Sequence, residues 1–277
     1  GMRTYLFLVF SLLLTPHASL TAQGPTWQVA AVRYATIKDF PVVALVKDAD
    51  TTRRLDIAMM VWVLRGSGRT VLVDAGFHRE KFVTQWKPAD FVTPAEAVAE
   101  AGVKPESVTD IIISHIHWDH ADGIDLFPKA RVWIQKAEYE HYVGPNGEPL
   151  DAPTITPEVA GVLAAMRRAG KLTLVDGDNR EIIPGIRVYT GGKHTWESQY
   201  AGVKTKSGTV VIASDNMYLY ENLEKRAPIA QTLDIVSNLK AQDRMRTIAS
   251  KPELIIPGHD ALVFTKFPSK GRVATIR

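Results

Sequence analysis

The sequence contains no cysteine. That absence excludes disulfides, thiolate-held metals and a cysteine nucleophile, so any metal bound here must be held by nitrogen and oxygen ligands. Nor is one sign of charge in excess. With 33 Lys and Arg against 30 Asp and Glu, and no long run of either, a phosphate-backbone partner is not suggested and no nucleic acid is expected. Long apolar runs are also scarce. The run "YLFLVFSLLL" at residues 5–14 falls short of the roughly 20 residues that a membrane-spanning helix needs. With Arg3 before it and small residues around Ala22 after it, the N-terminus has the layout of an export signal. Residues 1–22 are therefore expected to be a cleaved signal peptide, Gly1 being an expression remnant. The protein is then expected to be periplasmic or secreted, with no stable membrane anchor after cleavage. A buried N-terminal helix is the alternative reading of the same run.

What is present is a chain of 277 residues, 45% apolar, long enough to bury one large core. Short apolar runs dominate. "WQVAAVRYA" reads as a strand, and "AMMVWVLRG" and "TVLVDAG" flank the turn "GSGR" as a hairpin. "TPAEAVAEAG" opens with Thr-Pro and closes on Gly102, as a short helix does. "VTDIIIS" and "ARVWIQ" read as strands, then "KAEYEHYV" and "ITPEVAGVLAAMRRAGK" as helices. Four further strands are expected in "KLTLVDG", "IRVYTGG", "SQYAGVKT" and "GTVVIASD". A helical pair from Tyr220 to about Ser250 and a last strand in "PELIIPGHD" complete the pattern. No linker or low-complexity break divides it, so residues 23–277 are expected to form a single α/β domain.

Polar chemistry recurs where strands stop: Asp74, His115, Asp215 and His259. Strand ends meet at one edge of a sheet, where loop residues can share a site on a rigid support. The densest patch is "SHIHWDHADG", Ser114–Gly123. His115 and His117, two apart, face one side of an extended loop, while Asp119 and His120 lie beyond a turn and reach a neighbouring position. A single tetrahedral zinc needs three or four ligands. Two adjacent metals suit this geometry better. Of the other histidines, His17 lies in the leader, and His78 and His141 stand alone and read as solvated or core-satisfied imidazoles. His194 in "GGKHTWES" and His259 in "IPGHDA" each follow a glycine-containing turn, as a ligand presented from a loop would.

The motif His-x-His-x-Asp-His, followed by a single His, an Asp after an apolar strand and a Gly-His near the C-terminus, resembles the metal-binding pattern of the metallo-β-lactamase superfamily. The likeness runs in order from about Trp27 onward. It implies a four-layer αβ/βα sandwich, with two mixed β-sheets packed face to face and helices outside. It further implies His115, His117 and His194 on a first metal, Asp119, His120 and His259 on a second, and Asp215 bridging them. Asp74 would steady the metal-binding loop from behind. Two divalent ions are implied, zinc first, with iron, manganese or cobalt accepted by the same ligands. A hydroxide held between them would serve as a hydrolase's nucleophile.

Within that superfamily, Tyr218, three residues after Asp215, and "IQKAEYE" resemble the N-acyl-homoserine lactonases, where a tyrosine at that offset hydrogen-bonds the substrate. The likeness implies a metal-dependent hydrolase that opens lactone rings, with Asp119 as proton carrier and Tyr218 as carbonyl donor; its partner is a small-molecule lactone or ester. The alternatives are an exported phosphotriester or aryl-ester hydrolase, a β-lactam hydrolase with less support, and a metal-dependent binding protein with least. Trp196 and Glu197 depart from the Pro-Gly that many members carry. Phe77, Trp118, Trp196 and Met217 are candidates to receive an acyl chain, although packing is the commoner role for such residues. The oligomeric state, a homodimer included, is not written in any motif.

Overall fold

The computed structural model describes residues 1–2 and 24–277. The signal peptide expected over residues 1–22 lies, from residue 3 on, outside the described residues. Strand β1 (Gln28–Pro41) pairs antiparallel with β2 (Arg54–Gly66), which turns back into β3 (Arg69–Val73) through Ser67 and Gly68. Both turn residues have positive φ, 50° and 69°, the geometry whose twist matches that of a two-residue hairpin. Strands β4 (Asp110–Ile112), β5 (Arg131–Gln135) and β6 (Leu172–Val175) then add in parallel. A second sheet follows, made of β7 (Arg180–Ile183), β8 (Ile186–Tyr189), β9 (Tyr200–Thr205) and β10 (Gly208–Ser214), with β11 (Ile255–Pro257) parallel to β10. Strands β12 (Ser269–Lys270) and β13 (Val273–Thr275) return the C-terminus to β1. Among the described residues the sheets are ordered β12-β13-β1-β2-β3-β4-β5-β6 and β11-β10-β9-β8-β7.

Alternation along β2 explains the layering. Ala58, Met60, Trp62 and Leu64 face the second sheet, where they pack with Val188, Val203, Val210 and Ile212. Ile57, Met59, Val61 and Val63 face the opposite way into a core shared with helices. Both faces of the strand are buried, so its sequence is apolar without a break. The helices on that side are α1 (Glu80–Trp86), α2 (Pro94–Glu100), α3 (Trp118–Ala121), α4 (Lys136–Tyr142) and α5 (Pro157–Arg168). Then come α6 (Tyr220–Glu224), α7 (Ile235–Ile248) and α8 (Val263–Lys266). Ala241 and Met245 of α7 cover the outer face of the smaller sheet against Val211, Ala213 and Ile255. Helix, sheet, sheet and helix make the four-layer αβ/βα sandwich.

Helix α2 begins as its sequence predicts. The Thr93 hydroxyl accepts from Glu96 N while the Glu96 carboxylate accepts from Thr93 N, so each residue satisfies a donor that the first turn leaves free. Of the four further strands expected together, "KLTLVDG" supplies β6 at the edge of the larger sheet, while the other three supply β8, β9 and β10 of the second. Strands β7, β12 and β13 and helices α1, α3 and α8 go unread in the sequence. Each is short and buries little; α1 buries only Phe82.

Candidate metal centre

The site forms where the carboxyl ends of two parallel strand pairs meet. In the larger sheet, β3 ends before Asp74 and β4 runs into Ser114 and His115. In the smaller sheet, β10 ends at Ser214 before Asp215, and β11 ends two residues before His259. Hydrogen bonds cross between the sheets at this edge: Ser214 Oγ donates to Asp74 Oδ2 at 2.8 Å, and Ala58 N donates to the His259 carbonyl. Asp74 and Ser214 both hold positive φ, 61° and 49°, a conformation that non-glycine residues seldom adopt and that surrounding structure must enforce. At Gly258 a Cβ would stand 2.6 Å from Asp215 Oδ1 and 2.8 Å from the Ser214 carbonyl oxygen. Only glycine lets the His259 loop come this close.

All seven residues expected as ligands converge, in two groups that share Asp215: His115, His117, His194 and Asp215, and Asp119, His120, Asp215 and His259. Within each group the ligand atoms lie within 4.8 Å of one another. His117 Nδ1 is 3.1 Å from His115 Nε2 and 2.9 Å from His194 Nε2. Nitrogens held about 2.0–2.1 Å from a tetrahedral zinc would stand roughly 3.3 Å apart, so this triangle has nearly the size of a ligand set. Asp215 turns one oxygen to each group. Its Oδ2 lies 3.5 Å from His194 Nε2 and 3.8 Å from His115 Nε2, and its Oδ1 lies 3.0 Å from His259 Nε2 and 3.2 Å from His120 Nε2. Asp119 Oδ2 completes the second group, 3.4 Å from His120 Nε2 and 3.7 Å from His259 Nε2.

Two buried atoms among these, His120 Nε2 and Asp215 Oδ1, have no properly directed hydrogen-bond partner. Buried polar atoms are rarely left so, and both point into the space that a cation would fill. The donor set is hard oxygen and imidazole nitrogen, suited to a divalent ion. The outer nitrogens fit the same reading. His120 Nδ1 donates to Asp74 Oδ2 at 2.8 Å, His194 Nδ1 to the Gln231 carbonyl at 2.9 Å and His259 Nδ1 to the Ala58 carbonyl at 3.0 Å, while His115 Nδ1 lies 2.9 Å from Ser114 Oγ. Each such bond fixes the tautomer that leaves Nε2 free to ligate.

The electrostatics divide the two groups. Burial, reinforced by neighbouring imidazoles, holds His115 well below the usual histidine range and His117 at about 3. Burial likewise keeps His194 low, against the pull of Asp215. In the second group burial is outweighed by Asp215 and Asp119, and His120 and His259 are raised. The Asp215 carboxyl, though buried, is held well below its ordinary range by His120 and His259.

Beside the two candidate ligand groups opens a cavity of about 360 Å³. His117, Asp119, Asp215, Tyr218 and His259 line its floor; Ile37, Phe40, Leu45, Ile57, Met59, Trp86, Trp118 and Pro153 supply an apolar wall. Tyr218 Oη stands 3.3 Å from His194 Nδ1. Of the four acyl-chain candidates only Trp118 reaches this cavity, stacked on Phe82 and Trp86 with centroids 4.6 and 5.4 Å away. Phe77 is wholly buried, Met217 packs on the outer face of the smaller sheet, and Trp196 is exposed, stacked on His141. His78 pairs with Asp125 at 2.8 Å, a satisfied surface imidazole. Sequence reasoning missed Tyr34, whose hydroxyl donates to the Asp119 carbonyl, and Ser214, 140 residues from the Asp74 it bonds. It also assigned no part to Glu138, buried and pushed up to about 7 by that burial.

Comparison with known proteins agrees with this geometry. An N-acyl homoserine lactonase of Bacillus cereus is 32% identical over 162 residues, covering 57% of this chain and 58% of the relative. The chain thus spans under two thirds of the length of the Bacillus relatives it matches. N-acyl homoserine lactonase AiiB of Agrobacterium fabrum is 25% identical over 232 residues, 77% of this chain and 83% of the relative. Among solved structures, an N-acyl homoserine lactone hydrolase with the product N-hexanoyl-L-homoserine at its catalytic metal center superposes with a TM-score of 0.71 at 19% identity, over 87% of this chain and 96% of that one. Residues 59–259, which hold every candidate ligand, match the metallo-beta-lactamase superfamily, and the chain belongs to that superfamily.

Proposed function

We propose that this chain is a two-metal hydrolase that opens the ring of neutral lactones bearing an apolar substituent, N-acyl-homoserine lactones foremost. The observation that carries the reading is the cavity: both ligand groups lie at its floor, its wall is apolar, and no lysine or arginine is among the described residues that line it. Phosphodiesters and β-lactams bring an anion that a site of this size would meet with a cationic side chain. A neutral ester needs none. The names of the relatives in Bacillus and Agrobacterium favour the same choice.

Divalent ions held by His115, His117, His194, Asp119, His120, His259 and the shared Asp215 would supply Lewis acidity, a water activated near neutral pH and a counter-charge for the departing alkoxide. The Tyr218 hydroxyl donates a hydrogen bond to the ester carbonyl, and that bond strengthens as negative charge builds on the oxygen. Asp119 accepts the proton of the attacking water and returns it to the ring oxygen as the carbon–oxygen bond breaks. Trp118 and Trp86 receive the acyl chain. Export, a mature domain at residues 23–277 and zinc as the native metal are parts of this proposal. Mass measurement of the protein from its native host would locate the N-terminus.

Metal-loaded protein should be assayed against short- and long-chain acyl-homoserine lactones, a plain γ-lactone, paraoxon and nitrocefin. Preferred turnover of the acyl lactones is expected. Strong paraoxon hydrolysis without lactone turnover would replace this reading with a phosphotriesterase, whose neutral substrate the same cavity would admit.

A further inference from the structure

From Thr190 to Gln199 the chain is neither helix nor strand, yet this loop holds His194 Nε2 2.9 Å from His117 Nδ1. Its anchor is α4. Glu138 Oε1 accepts from Thr195 Oγ1 at 2.6 Å and from Ile116 N at 3.3 Å, while Oε2 accepts from Glu197 N at 2.6 Å. One turn further on, the Tyr142 hydroxyl accepts from Trp196 N at 3.2 Å, and the neighbouring His141 ring stacks on Trp196 with centroids 4.2 Å apart and planes 2° from parallel. The helix therefore grips three consecutive residues after His194.

Glu138 is fully buried, and its three donors are all uncharged. A buried carboxylate without a cation is costly to keep, and an apolar residue of similar size would pack there more cheaply. Its connections give it a purpose. Ile116 lies between His115 and His117, and Thr195 follows His194, so one carboxylate ties together the backbone around all three imidazoles of one ligand group. The second group is held by other means: Tyr34 on Asp119, Asp74 on His120 and the Ala58 carbonyl on His259.

We propose that Glu138 is a positioning residue that sets the spacing of the His115–His117–His194 group, and hence the affinity of one metal site of the two. The proposal rests on the two-metal reading above. Glutamine cannot replace it, because an amide nitrogen would have to face either Glu197 N–H or the Ile116 and Thr195 donors.

The test is zinc titration of the metal-free full-length chain against a chromophoric chelator, with His194→Ala marking the step that belongs to this group. In Glu138→Gln that same step should weaken by about 10–100-fold, the range for groups that orient ligands, while the other step stays put. Thr195→Val should weaken it by less. Unchanged affinities in both variants, or an equal loss at both steps as a merely destabilised fold would give, overturn the proposal. If Glu138→Gln does not fold, Thr195→Val decides by the same criterion. Failure of the underlying reading is separately visible, as an unsubstituted protein that takes up no zinc.

Discussion

Asp74 Oδ2 accepts the Nδ1 proton of His120 across 2.8 Å, in a pocket closed to solvent. The same oxygen accepts from the hydroxyls of Ser114 and Ser214, and Oδ1 accepts from Ser114 N. Ser114 Oγ in turn lies against His115 Nδ1, so Asp74 orients one imidazole directly and a second through a hydroxyl. Asp74→Asn replaces an acceptor with a donor where donors already converge. Zinc affinity should fall by about 10–100-fold, measured by chelator competition. Unlike Glu138→Gln, this variant should weaken both steps, since His115 and His120 belong to different groups.

Asp119 has two proposed tasks, holding a metal and carrying a proton, and a single substitution separates them. Asp119→Asn retains an oxygen that can still ligate but cannot take a proton. The turnover number should drop by at least about 100-fold, the lower range for acid–base groups, while metal content measured by atomic emission falls far less. Full activity at full occupancy would remove Asp119 from the proton path.

The Arg53 guanidinium grips both oxygens of Glu221 at 2.8 and 2.7 Å, pinning α6, which begins just after Tyr218, to the start of β2. Those bonds hold the Glu221 carboxyl at about 2 against an ordinary 4.5. A depressed carboxyl adds stability that is whole above pH 4.5 and is lost as pH falls through its folded value. Solvent screens the pair, so Glu221→Gln should cost only about 1 kcal/mol at pH 7 in urea unfolding. The difference should shrink steadily as pH drops from 4.5 towards 2. A difference that does not change with pH would mean that packing, not charge, fixes the helix.

That the seven candidate ligands would converge was legible in the sequence because the signal is local: histidine and aspartate types, fixed spacing around His115, and apolar strands ending before Asp215 and His259. The layering was expected from the resemblance alone, and the unbroken burial along β2 agrees with it. What stayed hidden depends on tertiary neighbours. Glu138 looks in sequence like any helix carboxylate; its role comes from meeting Ile116 and Thr195, 22 and 57 residues away. Met217 lies two residues from Asp215 yet packs in the cluster on the outer face of the smaller sheet, because both follow the end of β10 in a turn, where the strand alternation that would put them on one side no longer holds. Proximity in sequence to a ligand was no guide to lining the cavity.

Trp118 is the informative exception, lying between His117 and Asp119 and reaching the cavity from α3. Its ring is one layer of a stack with Phe82 and Trp86, and Phe40 packs on Trp86 further along the same wall. That arrangement makes the wall rigid and apolar where an acyl chain would lie. Trp118→Leu removes aromatic surface without disturbing the ligands on either side in sequence. Loss of contact with one or two methylenes is worth on the order of 1–2 kcal/mol, or about 5–30-fold in kcat/KM, for a long-chain acyl lactone. A plain γ-lactone, which has no chain to lose, should be turned over as before. Because Trp118 is only partly buried, the accompanying loss of stability should stay below the roughly 3–5 kcal/mol of a core aromatic truncated to alanine. Equal losses on both substrates would place Trp118 among the residues that position the metal loop, and the acyl chain would then have to run along the side of the cavity formed by Ile37, Leu45 and Met59.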